Sequence, residues 1–179
     1  FRKHIRDHRV FIAGSGLGHD SFELAKYNKK VIGIDLHKHL VLISKQRAKK
    51  ENVKNVKFRQ GDFTKLDYLN KYFDSVVLNM GTIENFEDKG KVIKELLRVS
   101  RVVYLDFYLP GLKVLKKRKK MYEEEGWRNV RIVGERIVSD DGLDSVSISK
   151  KELAKIIHSI GASVQYHKFC EFATMAEIR

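Results

Sequence analysis

The chain has 179 residues, 42% hydrophobic and 33% charged, with 1 Pro and 12 Gly; this balance supports one buried core and excludes collagen-like, low-complexity and wholly disordered classes. Lys and Arg number 36 against 23 Asp and Glu, a formal charge of +13, so an anionic partner or substrate has to be considered. One cysteine, Cys170, excludes an internal disulfide and a multi-cysteine zinc site.

Val10-Phe11-Ile12-Ala13 is a short apolar run stopped by Gly14 and reads as a buried strand. A helix follows over about His19 to Tyr27, with Asp20 and Ser21 supplying N-cap chemistry. Lys30 to Asp35 is a second apolar strand, ending on a carboxylate, and Leu40, Ile43 and Arg47 mark the next helix. Val56 to Arg59 has period two and reads as a strand; after a short helical or looped stretch, Phe73 to Leu78 is a buried one. Val92, Ile93, Leu96 and Leu97 recur at helical spacing before the strand Val102 to Leu105. Such alternation argues for a doubly wound α/β domain whose mainly parallel sheet has helices on both faces.

The last third reads differently. Leu112, Leu115 and Tyr122 lie along a basic helix ended by Gly126, and Val130 to Val138 is an extended excursion, so an insertion is expected at about 110–140 of a single domain covering 1–179. Ser149-Lys150-Lys151-Glu152 is a capping box, after which Leu153, Ile156, Ile157 and Ile160 form one apolar stripe before Gly161. Val164 to His167 and Phe169 to Ile178 are two strands with no long crossover between them, hence antiparallel neighbours.

Between the first strand and first helix lies Gly14-Ser15-Gly16-Leu17-Gly18, where glycines permit a sharp turn and let a ligand approach the amides of a helix N-terminus. Asp35, about 20 residues on, ends the second strand, where a carboxylate can accept hydrogen bonds from ribose hydroxyls. A dinucleotide fingerprint would need GxGxxG, but His19 holds the place of its last glycine, which argues against a nicotinamide-dependent oxidoreductase.

The GxGxG loop, Gly61-Asp62-Phe63 after the third strand and Asn79-Met80-Gly81-Thr82 after the fourth together resemble the motifs of class I S-adenosylmethionine-dependent methyltransferases, and the likeness runs from Val10 to Ile178. It implies a mainly parallel seven-stranded sheet with an antiparallel terminal strand, and S-adenosyl-L-methionine as cofactor. It also implies that Gly14, Ser15, Gly16 and Gly18 wrap the methionine part, Asp35 holds the ribose and Asp62 the adenine amino group. Phe63 would give adenine a backbone amide, Leu36 an apolar wall, and Asn79 and Met80 the segment beside the methionine moiety. The chain departs from the family where many members carry an acid two positions before the first glycine, for it has Ile12. Asp20 can take over contact with the methionine ammonium, or serve only the helix dipole.

Methyl transfer needs little protein chemistry beyond positioning, so the sequence names no catalytic residue. The Asn-Pro-Pro-aromatic signature of base-amine and glutamine methylation is absent, since Met80-Gly81-Thr82 follows Asn79. Glu84, Asn85, Asp106 and Tyr108 fall at or beyond the carboxyl ends of strands four and five, where open α/β sheets place ligands, and are the acceptor-site candidates. His19, His37 and His39 match no metal-site spacing, and no metal is expected. Lys113, Lys116, Lys117, Arg118, Lys119 and Lys120 form the densest basic run, but it lacks aromatic interleaving. A small-molecule acceptor is therefore favoured, with an RNA substrate or a non-catalytic adenosylmethionine-binding role as alternatives. No run approaches the roughly 20 apolar residues a bilayer needs and the start is too charged for a signal peptide, so no membrane contact and a cytoplasmic location are expected. A first residue of Phe rather than Met leads to the expectation that a segment precedes it.

Overall fold

The computed structural model describes residues 3–79, 81–168 and 170–179. Among the described residues, ten strands and five α-helices follow in the order β1 (Arg9–Ala13), α1 (His19–Ala25), β2 (Lys30–Asp35), α2 (Lys38–Lys50), β3 (Val56–Gln60), β4 (Phe73–Leu78), α3 (Lys89–Val99), β5 (Ser100–Tyr108), α4 (Leu112–Glu124), β6 (Arg131–Val133), β7 (Arg136–Val138), β8 (Asp144–Ser145), α5 (Lys150–Ser159), β9 (Val164–Lys168) and β10 (Ala173–Ile178). Seven strands form one sheet in the order β3-β2-β1-β4-β5-β10-β9. It is mostly parallel with an antiparallel strand, as the alternation predicts. β1 pairs in parallel with both β2 and β4, so the chain leaves β1 in one direction, returns, and continues in the other. The carboxyl ends of strands at such a reversal are where doubly wound sheets open a crevice.

Burial follows from this order. β1, β2, β4 and β5 are buried at nearly every successive residue, which requires cover on both faces of the sheet. β3, at one edge, alternates instead between buried Val56 and Phe58 and exposed Lys57 and Arg59. Among the described residues no helix is long and apolar enough to cross a membrane.

The chain divides into two compact units. The first comprises the chain up to Leu78 together with Lys91–Tyr104 and Ile178–Arg179, and the second Asn79–Gly90 with Leu105–Glu177. In the first unit the stretch between β3 and β4, read as helical or looped, is irregular throughout. Side chains of α3 tie it down: Arg98 donates to the carbonyls of Leu66 and Tyr68, each at 2.8 Å, and Glu95 accepts from Leu66 N at 2.8 Å. In the second unit the segment expected as an insertion is α4 followed by an antiparallel sheet, β6-β7-β8, that runs to Ser145. Leu115 and Tyr122 of α4 pack there on Val130 and Ile137. Of the capping box expected at α5 the hydroxyl half is in place, Ser149 Oγ accepting from Glu152 N at 3.1 Å.

The N-cap of α1 is not. Gly18, at φ 78°, occupies that position with no side-chain cap, while Asp20 and Ser21 lie inside the first turn. A left-handed glycine delivers the chain into the helix directly from the loop, so the polar pair is displaced by one turn's start.

Close approach explains a glycine outside the loop. A Cβ on Gly33 of β2 would lie 2.7 Å from Ser15 Cβ and 2.9 Å from the Phe58 ring. Gly33→Ala should therefore destabilise the fold by about 1–3 kcal/mol through overpacking, read as a lower urea midpoint at unchanged m-value.

Candidate functional site

The loop after β1 is built from backbone conformations that need glycine. Gly14, Gly16 and Gly18 have φ of 71°, 49° and 78°, all left-handed. Ser15 N donates to Ile34 O at 2.9 Å and Gly18 N to Ser15 O at 2.8 Å, so the loop is a closed turn resting on β2. A Cβ on Gly18 would meet the Phe58 ring at 2.7 Å, which leaves no room for a side chain beneath it.

Asp35 joins the loop to β2. Its Oδ2 accepts from Gly16 N at 2.8 Å, and Oδ1 accepts from His37 N at 2.9 Å and lies 3.1 Å from His37 Nδ1. The carboxylate is buried, whereas Leu36 beside it is 59% exposed. Asp62 is exposed, and Oδ1 accepts from the Thr64 hydroxyl at 2.7 Å and Thr64 N at 2.8 Å. Those bonds, with the nearby Lys65 charge, hold its carboxyl below the ordinary range. Phe63 is buried next to it, and Asp20 lies in the first turn of α1. These residues all belong to the first unit. Asn79 belongs to the second, its carbonyl accepting from Thr82 N at 3.2 Å. Met80 lies outside the described residues.

The acceptor candidates all fall in the second unit, and two of them meet. Glu84, in a 3-10 turn over Ile83–Asn85, is 4% exposed, and its Oε1 accepts from Tyr108 N at 2.7 Å. Its Oε2 has no hydrogen-bond partner among the described residues. Asn85 is exposed, its amide donating to Gly81 O at 2.8 Å. Asp106 and Tyr108 lie within β5 rather than beyond it, both buried, and their spacing puts them on one face of the strand. Burial raises the Tyr108 hydroxyl above its usual range, and a hydrogen bond with Tyr122 adds to this, so it stays protonated.

The residue that sequence reasoning missed is Arg118. Read as part of the densest basic run, it is instead fully buried. Its guanidinium stands 3.8 Å from the Tyr108 ring centroid and donates to Ser147 Oγ at 2.6 Å, to Val146 O at 3.2 Å and to Ser145 Oγ. Ser145 Oγ also lies 2.8 Å from the Tyr122 hydroxyl. The signal was present: Arg118 is three residues after Leu115 and four before Tyr122, in phase with the buried stripe of α4. Leu112, assigned to that stripe, is 61% exposed. Of the lysines, Lys117 pairs with Glu171, Lys119 with Glu123 and Lys120 with Glu124.

A cleft of about 710 Å³ opens in this unit, lined by Glu84, Phe86, Lys89, Trp127, Arg136 and Asp144 among others. Burial is the largest influence on the Glu84 carboxyl and raises it above the ordinary range; the Tyr108 N–H, Arg118 and Lys89 pull the other way and are outweighed.

Sheet order and the closed glycine turn define a doubly wound α/β protein. The chain belongs to the methyltransferase domain family, whose model matches residues 7–158, and its resemblance to class I S-adenosylmethionine-dependent methyltransferases holds. A demethylmenaquinone methyltransferase of Alkalihalophilus pseudofirmus is 34% identical over 98 residues, 52% of this chain and 41% of that protein. One from Lactococcus lactis is 32% identical over 114 residues, 60% of this chain and 45% of that protein. The match thus spans less than half the length of these relatives. The magnesium protoporphyrin IX methyltransferase of Synechocystis, solved with bound SAH, has the same fold, with a TM-score of 0.71 at 18% identity over 99% of this chain and 76% of that one.

Two outcomes follow from the buried charges. Arg118→Lys keeps the charge but loses the planar stack and the forked donors, and should lower stability by about 2 kcal/mol or more in urea titrations. For Glu84, folding raises the carboxyl, so the native state binds its proton more tightly than the unfolded chain does. Stability is then lost as pH rises from the ordinary carboxylate range through the raised value. Glu84→Gln should melt higher than the unaltered protein above that window and show no such gain below it.

Proposed function

We propose that the chain transfers a methyl group from S-adenosylmethionine to a small-molecule acceptor. The observation that carries this is Asp35: a carboxylate at the end of β2 accepting the Gly16 amide, so that the acid and the left-handed glycine turn form one unit at the reversal of the sheet. Gly14, Ser15, Gly16 and Gly18 would enclose the methionine portion, Asp35 the ribose, and Asp62, Phe63 and Leu36 the adenine. Asp20, Asn79 and Met80 would flank the methionine end. The residues present fit such a group: open space surrounds Gly16, where an added Cβ would meet nothing within 4 Å, and Leu36 offers an exposed apolar surface beside a buried acid. When bound, the cofactor supplies an electrophilic methyl carbon, and the protein's part is orientation.

Glu84, Asn85, Asp106 and Tyr108 are the acceptor-side residues in this reading. Relatives named demethylmenaquinone methyltransferases support a small-molecule acceptor, and Phe86 and Trp127, both lining the second unit's cleft, offer it aromatic surface. Three of the α4 lysines already have glutamate partners, which favours a small acceptor over a phosphate backbone.

Calorimetry with S-adenosylmethionine, S-adenosylhomocysteine and NAD tests the reading. The first two should bind and NAD should not; tight NAD binding with no heat from either adenosyl compound would sink it. Asp35→Ala removes charge-assisted hydrogen bonds and should weaken S-adenosylmethionine by about tenfold or more, with thermal denaturation confirming an intact fold.

A further inference from the structure

The formal excess of +13 is not spread over the chain. The first unit holds 22 of the 36 Lys and Arg and 9 of the 23 Asp and Glu, while the second, with 14 of each, is neutral. Within the first unit the excess concentrates on α2 and β3. Between Lys38 and Arg59 the single acid is Glu51, which pairs with Arg47, and Arg59 pairs with Asp67. Lys38, Lys45, Lys49, Lys50, Lys54 and Lys57 are all exposed and enter no ion pair among the described residues.

The helical period sorts the side chains of α2. Val41 and Ser44 are buried. Lys38, Leu42, Lys45 and Lys49 follow one another at i, i+4, i+7 and i+11 and share one exposed stripe, and Ile43 and Lys50, seven residues apart, form a second beside it. Leu42 and Ile43 are each 48% exposed, large apolar side chains held in water among lysines. The end strand of the sheet joins this surface, since Lys45 of α2 and Lys57 of β3 line one groove of about 350 Å³ with Ile32, Ala48 and Val56.

We propose that this face of α2 and β3 docks the protein on an anionic phospholipid surface, with the lysines against the headgroups and Leu42 and Ile43 entering the boundary between headgroups and acyl chains. An anionic leaflet engages many separate lysines at once and each adds to the attraction, whereas a small anion meets one or two. Aliphatic side chains on a basic helical face gain burial in a leaflet that a phosphate backbone cannot give them. Nucleic acid would be met with stacking aromatics, and Phe58, the one Phe, Tyr or Trp between Lys38 and Arg59, is buried. A second copy of the same face would bring like charges together. Contact of this kind lies along the leaflet and needs no spanning helix. The inference draws on the first unit alone and is independent of the methyl-transfer reading.

Cosedimentation with sucrose-loaded vesicles tests it. The unaltered protein should bind vesicles of phosphatidylcholine with about 30 mol% phosphatidylglycerol and not those of phosphatidylcholine alone, and raising salt from about 50 to about 500 mM should weaken binding at least about tenfold. Lys45→Gln/Lys49→Gln/Lys57→Gln should weaken it by more than about tenfold, at roughly fivefold per lysine. Leu42→Ser/Ile43→Ser, which leaves the charge intact, should weaken it by about tenfold. Lys113→Gln/Lys116→Gln/Lys151→Gln removes the same charge from the second unit and should bind as the unaltered protein does. Every position changed is exposed, and thermal denaturation checks each fold. Equal loss from the two lysine triples overturns the proposal by assigning binding to net charge, and unchanged affinity in Leu42→Ser/Ile43→Ser overturns it as well. A duplex RNA that binds more tightly than the anionic vesicles makes the face one for nucleic acid instead. If a variant fails to fold, the unaltered protein decides: no binding to anionic vesicles, or equal binding to neutral ones, overturns the assignment.

Discussion

Asp35 holds the first unit's loop in register with its sheet. Three left-handed residues within five would be a flexible hinge if they were tied only at their ends, because glycine loses more conformational entropy on folding than any other residue. The Asp35 carboxylate accepts the amide of the middle glycine, and the same side chain takes the amide of His37, two residues on, at the entry to α2. Ser44 of α2 closes the arrangement from the other side, donating its hydroxyl to Gly16 O at 3.1 Å. Gly16 is thus held through both its N–H and its C=O, by different elements. The conformational entropy of ordering this turn has thus been met in folding.

The second unit depends on a different interaction, the burial of one cation. Arg118 would be costly in an apolar helix face, and it is retained there by the Tyr108 ring, two serine hydroxyls and a carbonyl. Through those contacts one side chain of α4 links the end of β5 to the segment 145–147. Ser145 in turn meets the Tyr122 hydroxyl, one helical turn beyond Arg118. The network favours the ionised form of Glu84 from a distance without forming an ion pair with it, which is why burial still governs that carboxyl.

The parts of the fold that were legible are those in which one residue type answers one local demand. Continuous apolar runs marked the strands buried on both faces, β1, β2 and β4, and the spacing of Val92, Ile93 and Leu96 marked α3. The glycine turn could be read because left-handed backbone selects glycine whatever surrounds it. The end of β5 could not, since Asp106 is polar yet buried inside a strand, and its surroundings are set by tertiary contacts. The stretch between β3 and β4 was ambiguous for a similar reason: its order comes from Arg98 and Glu95, about thirty residues away in sequence. Arg118 was misread because composition outweighed phase. Six basic residues in an eight-residue span suggest a solvated face, and only the helical period separates the inward arginine from its outward neighbours.

This contrast also explains why the two sides of a methyl transfer differ in how they are written into a chain. In the proposed reading the cofactor side would use main-chain amides and the acids Asp35 and Asp62, requirements that any acceptor leaves unchanged, and so it takes the form of short local motifs. The acceptor side must match one molecule, and in the proposed reading it would draw on a 3-10 turn, the end of β5 and residues of the α4 to β8 segment, each contributing a residue or two. No local spacing relates Glu84 to Tyr108 or to Trp127, and their encounter exists only once β5 and the small sheet have folded. An unsatisfied Glu84 oxygen costs about 1–3 kcal/mol, a sizeable part of the stability of an ordinary domain. Neither a glutamine, whose buried amide nitrogen would take the place of that oxygen, nor a leucine, which would leave the Tyr108 N–H without an acceptor, relieves that cost.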